Sequence, residues 1–264
     1  MIFGMPTLAE FSSLAENLNL CRELGLSFVE LNMNFPEYQS EALRDTDRLL
    51  RMADQAGAFY TIHLDENLDP AAVNPRVRAA WMETALEAIR AACSLGAPLV
   101  NLHLNHGVYI TLPDRKLFIY DRDKNEYLDH MRAFRDRCEA ESRGRVRVAL
   151  ENTDGFRETE QEAVELMLES PVFGLTWDIG HSCTAQERDL PFLEKHADRL
   201  IHFHIHDGKR EPSRNHLALG DGEIDLNARL LTARDHGCRC VLETKTADAL
   251  RKSVKYLKEK GWMK

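Results

Sequence analysis

Short apolar runs alternate along this chain with longer amphipathic segments. The runs at 2–5, 28–32, 59–64, 99–104, 147–152, 173–178, 200–206 and 239–243 read as strands. Brief stretches of this kind, bounded by turn residues, suit a strand better than a helix. Between them the spacing changes. Val77, Trp81, Ala85, Ile89 and Ala92 recur at helical spacing and predict a helix over 76–95, stopped by Gly96. Similar patterns predict helices over 41–56, 126–142, 158–169, 190–197, 225–236 and 246–260. Thr7 and Glu10 have the spacing of a capping box, which predicts a first helix running from Thr7 to about Leu24 and ended by Gly25. The longest irregular stretch, 105–125, reads as a loop able to form part of a lid.

Strand–helix alternation argues for βα units around a parallel sheet. Eight units suit a closed α/β architecture, the (β/α)₈ TIM barrel, which needs ~250 residues. The 264 residues are then one domain, 1–264, with no linker or low-complexity tract to divide them. No GxGxxG or Walker sequence follows an early strand, which argues against an open nucleotide-binding sheet.

Composition narrows the partners. The formal net charge is −9, and basic residues are interleaved with acids, as in Arg44-Asp45-Thr46-Asp47-Arg48. Phosphate-backbone binding calls for a basic face, so nucleic acid is not an expected partner. The six cysteines, Cys21, Cys93, Cys138, Cys183, Cys238 and Cys240, form no CxxC pair and read as free thiols of a reducing cytoplasm. Neither a signal peptide nor an apolar run of membrane length is evident, so no membrane contact is expected.

Chemistry concentrates at the strand ends: His63, Asn101 and His103, Glu151 and Asn152, Asp178 followed by His181, the series His202, His204, His206, and Glu243. In a barrel these ends converge on one mouth. Converging carboxylates repel, and burial raises their pKa values; a divalent cation relieves both. Period-2 geometry puts His202, His204 and His206 on one face, with His202 deeper, His204 at ligand level and His206 beyond the rim. Glu30 points toward the mouth, as a substrate contact or a structural ion pair. Trp177 and Trp81 read as packing residues. Asn101 and Asn152 are expected to orient ligands, and Asp207 to do the same for His204.

The segments 61–64, 100–107, 150–153, 175–182 (LTWDIGHS), 201–207 (IHFHIHD), 216–225 (HLALGDGEID) and 242–244 follow a known order and spacing. They resemble the xylose isomerase-like TIM-barrel superfamily over roughly residues 1–260. That superfamily holds sugar isomerases, ketose epimerases, inosose-type dehydratases and endonuclease IV-type abasic-site nucleases. The resemblance implies that Glu151, Asp178, His204 and Glu243 are metal ligands. It implies a substrate or further-metal contact for His181, and additional zinc ligands in the nuclease branch for His63, His103 and His216. The nuclease branch carries Asp two residues before that last histidine; this chain has Arg214. The exchange removes a negative ligand, and Arg214 suits a substrate hydroxyl or phosphate instead, as an Arg in this loop does in some epimerases.

The resemblance implies two mechanisms. In an isomerase or epimerase, one divalent ion (Mn²⁺, Zn²⁺, Co²⁺ or Mg²⁺) polarises a carbonyl of a sugar, sugar phosphate or polyol. Glu151 and Glu243 then move the proton of the acidified C–H through an enediolate. A dehydratase begins alike and expels a β-hydroxyl. In a nuclease-like phosphodiesterase, additional metals at the histidines generate hydroxide. The first reading is preferred, with a small carbohydrate or polyol as partner. A homo-oligomer is compatible with it. Tyr109, Phe118 and Tyr120 then either stack on a sugar ring or pack within their loop.

Overall fold

Strands buried on both faces must be apolar almost throughout, and the apolar runs become the staves of a barrel. The computed structural model describes residues 1–264. Its barrel strands are β1 (Ile2–Pro6), β2 (Phe28–Asn32), β3 (Phe59–His63), β4 (Leu99–His103), β5 (Arg147–Glu151), β6 (Phe173–Asp178), β7 (Leu200–Ile205) and β8 (Arg239–Leu242). Each pairs in parallel with its sequence neighbours, and β8 closes on β1. Several strands end one residue short of the sequence expectation. Leu64 and Glu243 leave the ladder on one side, yet their N–H groups still donate to Asn101 O (2.9 Å) and Ile205 O (3.0 Å). Their side chains therefore stay tied to the mouth.

The outer layer holds α1 (Leu14–Leu24), α2 (Thr46–Ala56), α3 (Pro75–Leu95), α4 (Lys124–Ser142), α5 (Glu158–Leu168), α6 (Leu190–Lys195), α7 (Leu226–Asp235) and α8 (Ala247–Glu259). Their apolar stripes meet the outward faces of the strands in one core that includes Trp177, Phe203, Phe173 and Phe134. Trp81 packs against this core, partly buried. The floor of the barrel interior is aromatic: Phe28 stacks on Phe59 at 5.1 Å. A Cβ on Gly4 would lie 2.6 Å from the Phe28 ring, so glycine is what admits that ring. No helix is long and apolar enough to cross a membrane.

Three expectations change. The first helix starts at Leu14, not Thr7. Ser13 caps it, accepting from Glu16 N, while Glu16 Oε2 accepts from the Ser13 hydroxyl at 2.8 Å. The segment expected over 41–56 is broken at Asp45, whose side chain caps α2. The 105–125 stretch is not structureless: Tyr109–Thr111 and Lys116–Phe118 pair as an antiparallel hairpin. Tyr120 resolves to packing, stacked on Tyr127 at 4.4 Å and donating its hydroxyl to Asp69. Phe118 lies under the Arg157 guanidinium at 3.7 Å, and Tyr109 stays exposed.

Candidate metal centre

The last four strands each deliver one side chain to a common point. Glu151 ends β5, Asp178 ends β6, His204 stands on β7, and Glu243 follows β8. Their ligating atoms all lie within 4.8 Å of one another, and all four residues are buried. His204 Nδ1 is 3.0 Å from Glu151 Oε1, 3.4 Å from Glu243 Oε2 and 4.0 Å from Asp178 Oδ2. Two polar atoms at this focus, Glu243 Oε2 and His181 Nδ1, have no hydrogen-bond partner. Three buried carboxylates around an imidazole, with a carboxylate oxygen left unpaired, are a donor set for a divalent cation. The residues therefore fit such an ion.

The electrostatics agree. Burial alone would raise the Glu151 carboxyl; the His204 and His103 imidazoles outweigh it and hold the group well below the usual carboxylate range. Burial is likewise outweighed at Glu243 by His204 and Lys245, and at Asp178 by His181 and His206. His204, despite burial, is pushed well above its ordinary value by Glu151, Glu243 and Glu30. Each group at the focus keeps its charge only through its neighbours.

The surrounding residues fall into groups. His63 and His103 each place Nε2 3.3 Å from Glu151 Oε2, which also accepts from Asn101 Nδ2. His181 N donates to Asp178 Oδ1 at 2.6 Å, capping a short helix, Ile179–Thr184, that was not expected. The His181 ring places Nδ1 3.5 Å from Asp178 Oδ2. Asn152 grips the Asp178 backbone at both ends: its Oδ1 accepts from Asp178 N (2.8 Å), and its Nδ2 donates to Asp178 O (3.0 Å). His216 adopts a left-handed conformation, φ 52°, and its Nδ1 lies 3.0 Å from the Glu243 carbonyl. Burial and the neighbouring His206 lower its pKa to about 4. Arg214 is exposed on the hairpin formed by Asp207–Lys209 and Arg214–Leu217, and its side chain makes no ion pair or hydrogen bond.

Three assignments need revision, and one residue had none. His206 is not beyond the rim. It is fully buried, its Nδ1 accepts from His216 N (2.8 Å), and its Nε2 lies 3.0 Å from Asp178 Oδ1. Asp207 does not orient His204; its carboxylate accepts from the N–H groups of Gly208, Gly220, Gly222 and Ile224, pinning the LGDGEID loop. Glu30 points below the focus, not to the mouth. Of its two readings the structural ion pair holds, made with His204, while the buried His202 ring, whose pKa burial lowers, meets it as a hydrogen-bond partner. Lys245 was missed altogether. Its Nζ lies 2.9 Å from Glu243 Oε1, and it lines a cavity of about 380 Å³ with Thr7, Asn32, Asn34, Phe35 and Glu66. Its position two residues beyond Glu243 is the one sequence signal that pointed to it. Trp177 packs outward as expected, against Phe203 and under Arg229.

Comparison with known proteins places this geometry. A protein of Methanocaldococcus jannaschii described as uncharacterised is 26% identical over 273 residues, spanning 98% of this chain and 89% of that protein. The structure of a D-tagatose 3-epimerase-like protein matches with a TM-score of 0.77 at 25% identity, covering 98% of this chain and 96% of that one. The IolI protein with a bound zinc atom matches with a TM-score of 0.75 at 18% identity, over 98% of this chain and 97% of that one. That second likeness speaks to the fold alone. The family described as xylose isomerase-like TIM barrel matches residues 18–260. This chain therefore belongs to the xylose isomerase-like TIM-barrel family.

Proposed function

We propose that this protein is a divalent-metal-dependent isomerase or epimerase of a small carbohydrate or polyol. The observation that carries the reading is the pairing of Glu151 and Glu243 at one focus, each with its outer oxygen held. Glu151 Oε2 accepts from Asn101 Nδ2, and Glu243 Oε1 lies against Lys245 Nζ. Their inner oxygens, Glu151 Oε1 and Glu243 Oε2, face His204 Nδ1 and the focus. Glu151, Asp178, His204 and Glu243 would hold the ion, which when bound supplies Lewis-acid polarisation of a substrate carbonyl. The D-tagatose 3-epimerase-like protein is an epimerase relative in name, in keeping with this chemistry.

The chain's own residues then do the proton work. A carboxylate is a competent base toward a C–H made acidic by an adjacent polarised carbonyl. Two carboxylates from different strands allow a proton to leave one face and return to the other, which epimerisation needs; aldose–ketose exchange can use one. Lys245 holds Glu243 Oε1 and so keeps Oε2 turned inward. The adjoining cavity gives the rest of the substrate a polar wall with Phe35 on one side.

The test is solvent deuterium incorporation next to the carbonyl of a panel of free ketoses, with Mn²⁺ or Co²⁺ supplied. Glu151→Gln and Glu243→Gln should each lower exchange by about 10²–10⁴-fold, the contribution of a positioned acid or base. Undiminished exchange in both variants would remove the proposal.

One observation favours a second reading. His63 Nδ1 lies 2.7 Å from the Leu64 carbonyl, so it carries the hydrogen. In the neutral ring, Nε2 then turns a lone pair toward Glu151 Oε2, beside His103 Nε2. A second cation fits that meeting point, as a phosphodiesterase with a zinc cluster requires. Elemental analysis separates the readings. About one ion per chain, lost in Glu243→Gln and kept in His103→Ala, supports the isomerase or epimerase. Two or three zinc ions, one of them lost in His103→Ala, direct assays to abasic DNA.

A further inference from the structure

Beneath the focus lies a polar layer that the proposed chemistry leaves unused. Glu30, in the middle of β2, is 2% exposed and reaches across the barrel interior to β7. Its Oε1 is 2.8 Å from His204 Nε2. Its Oε2 is 3.1 Å from His202 Nε2 and accepts the Thr61 hydroxyl at 2.7 Å. His202 is itself fully buried and offers nothing to the focus; its Nδ1 has no partner. Two strands, β3 and β7, thus use buried polar side chains to hold one carboxylate of β2 still. A buried carboxylate is costly unless each lone pair has a donor. An apolar floor, of the kind Phe28 and Phe59 supply one level below, would be the cheaper way to fill this space.

Glu30 touches only one residue of the metal quartet, and touches it on the ring nitrogen that faces away from the focus. An imidazole has two nitrogens, and the hydrogen bond made by one decides the role of the other. A carboxylate only accepts, so His204 Nε2 carries a hydrogen. Nδ1 faces carboxylates as well, 3.0 Å from Glu151 Oε1, but it is the nitrogen at the focus, where a cation would take the place of its hydrogen and make it the ligand. We infer that Glu30 is the positioning residue of the metal centre, fixing the ligating nitrogen and the ring angle of His204, with His202 and Thr61 locking Glu30 in turn. This inference rests on the quartet holding a divalent ion; it does not depend on which reaction follows.

The experiment is a titration of the purified chain with Zn²⁺ and Mn²⁺ by calorimetry, with thermal unfolding of each metal-free variant alongside. Glu30→Gln, which keeps the shape and removes the charge, should weaken metal binding by about 10–100-fold, the usual loss when a histidine ligand is deprived of its carboxylate. Thr61→Val, which frees one side of Glu30, should weaken it by a smaller factor. Phe134→Leu, which loosens the outer core where Phe134 packs on Phe173 and touches neither Glu30, His202 nor His204, should lower the unfolding temperature and leave affinity as it was. The Co²⁺-loaded chain adds a signature: its visible bands should shift in Glu30→Gln and not in Phe134→Leu. Equal affinities in wild type, Glu30→Gln and Thr61→Val would overturn the inference. So would a loss in Phe134→Leu as large as that in Glu30→Gln, because general loosening would then explain both. If Glu30→Gln does not fold, Thr61→Val decides alone. A wild-type chain that takes up neither ion would overturn both the metal reading and this inference, whereas tight binding without deuterium exchange would overturn the isomerase or epimerase reading only.

Discussion

Gly180 shows how far a single residue reaches into this site. A Cβ there would lie 1.8 Å from the His206 ring, inside any tolerable contact. The glycine is therefore what allows His206 to sit against Asp178. Gly180→Ala should leave the fold intact, push His206 off Asp178 and weaken metal binding by about tenfold, as losing a ligand's hydrogen-bond partner does. An unchanged affinity by calorimetry would mean that His206 does not hold Asp178. The ligand candidates themselves were legible because period-2 alternation and strand ends decide which side chains enter the mouth. Their supporting residues were not. Whether Glu30 meets a ligand or a substrate depends on the stagger between β2 and β7, which pair with different neighbours and touch only across the barrel. Asp207 next to a metal-level histidine looked like that histidine's partner; three backbone N–H groups of a later loop, with that of the adjacent Gly208, claimed it instead.

The same competition explains which elements could be read. All eight strands were visible, since burial on both faces leaves them few polar positions. The start of α1 was not, because two capping-box spacings, Thr7 with Glu10 and Ser13 with Glu16, lie six residues apart. Tertiary bonds choose between them: Thr7 Oγ1 accepts from Asn32 N at 3.2 Å, and Glu10 Oε2 from Ala247 N at 2.6 Å. Both are thereby withdrawn from capping, and the loop they anchor lines the cavity. The hairpin at Tyr109–Phe118 is strapped down by Arg157, which pairs with Asp121 and Glu160 and donates to the His106 carbonyl. His106 Nδ1 lies 2.8 Å from Glu160 Oε1, and that carboxylate raises its pKa against the effect of burial. A raised histidine stabilises the folded state fully below its unfolded value near 6.5, and the contribution is lost as pH rises through the folded value. His106→Gln should accordingly lower the unfolding temperature at about pH 5.5 by ~2–4 °C, the equivalent of about 1 kcal/mol for a partly exposed pair. Near pH 8.5 the two proteins should melt together. Equal differences at both pH values would show that the pair's charge contributes nothing.

For the molecule as a whole, four buried carboxylates, Glu30, Glu151, Asp178 and Glu243, inside one barrel are a standing cost that a bound cation would offset. On the proposed reading, Mn²⁺ or Zn²⁺ at a hundred times its Kd should stabilise the chain by ~2.7 kcal/mol, raising the unfolding temperature by about 5–10 °C over the chelated protein. Identical scanning-calorimetry traces with metal and with chelator would contradict this. The placement of the quartet has one more consequence. Its members come from β5 to β8, all in the second half of the chain, and Glu243 follows the strand that meets β1 through Ile2–Arg239, Phe3–Cys240 and Gly4–Val241. A nascent chain still lacking β8 can present three of the four groups at most. On the proposed reading the ion would be a clasp fastened last, after β8 has met β1. Fraying of that terminal seam would loosen the clasp from behind, with every residue at the mouth unchanged.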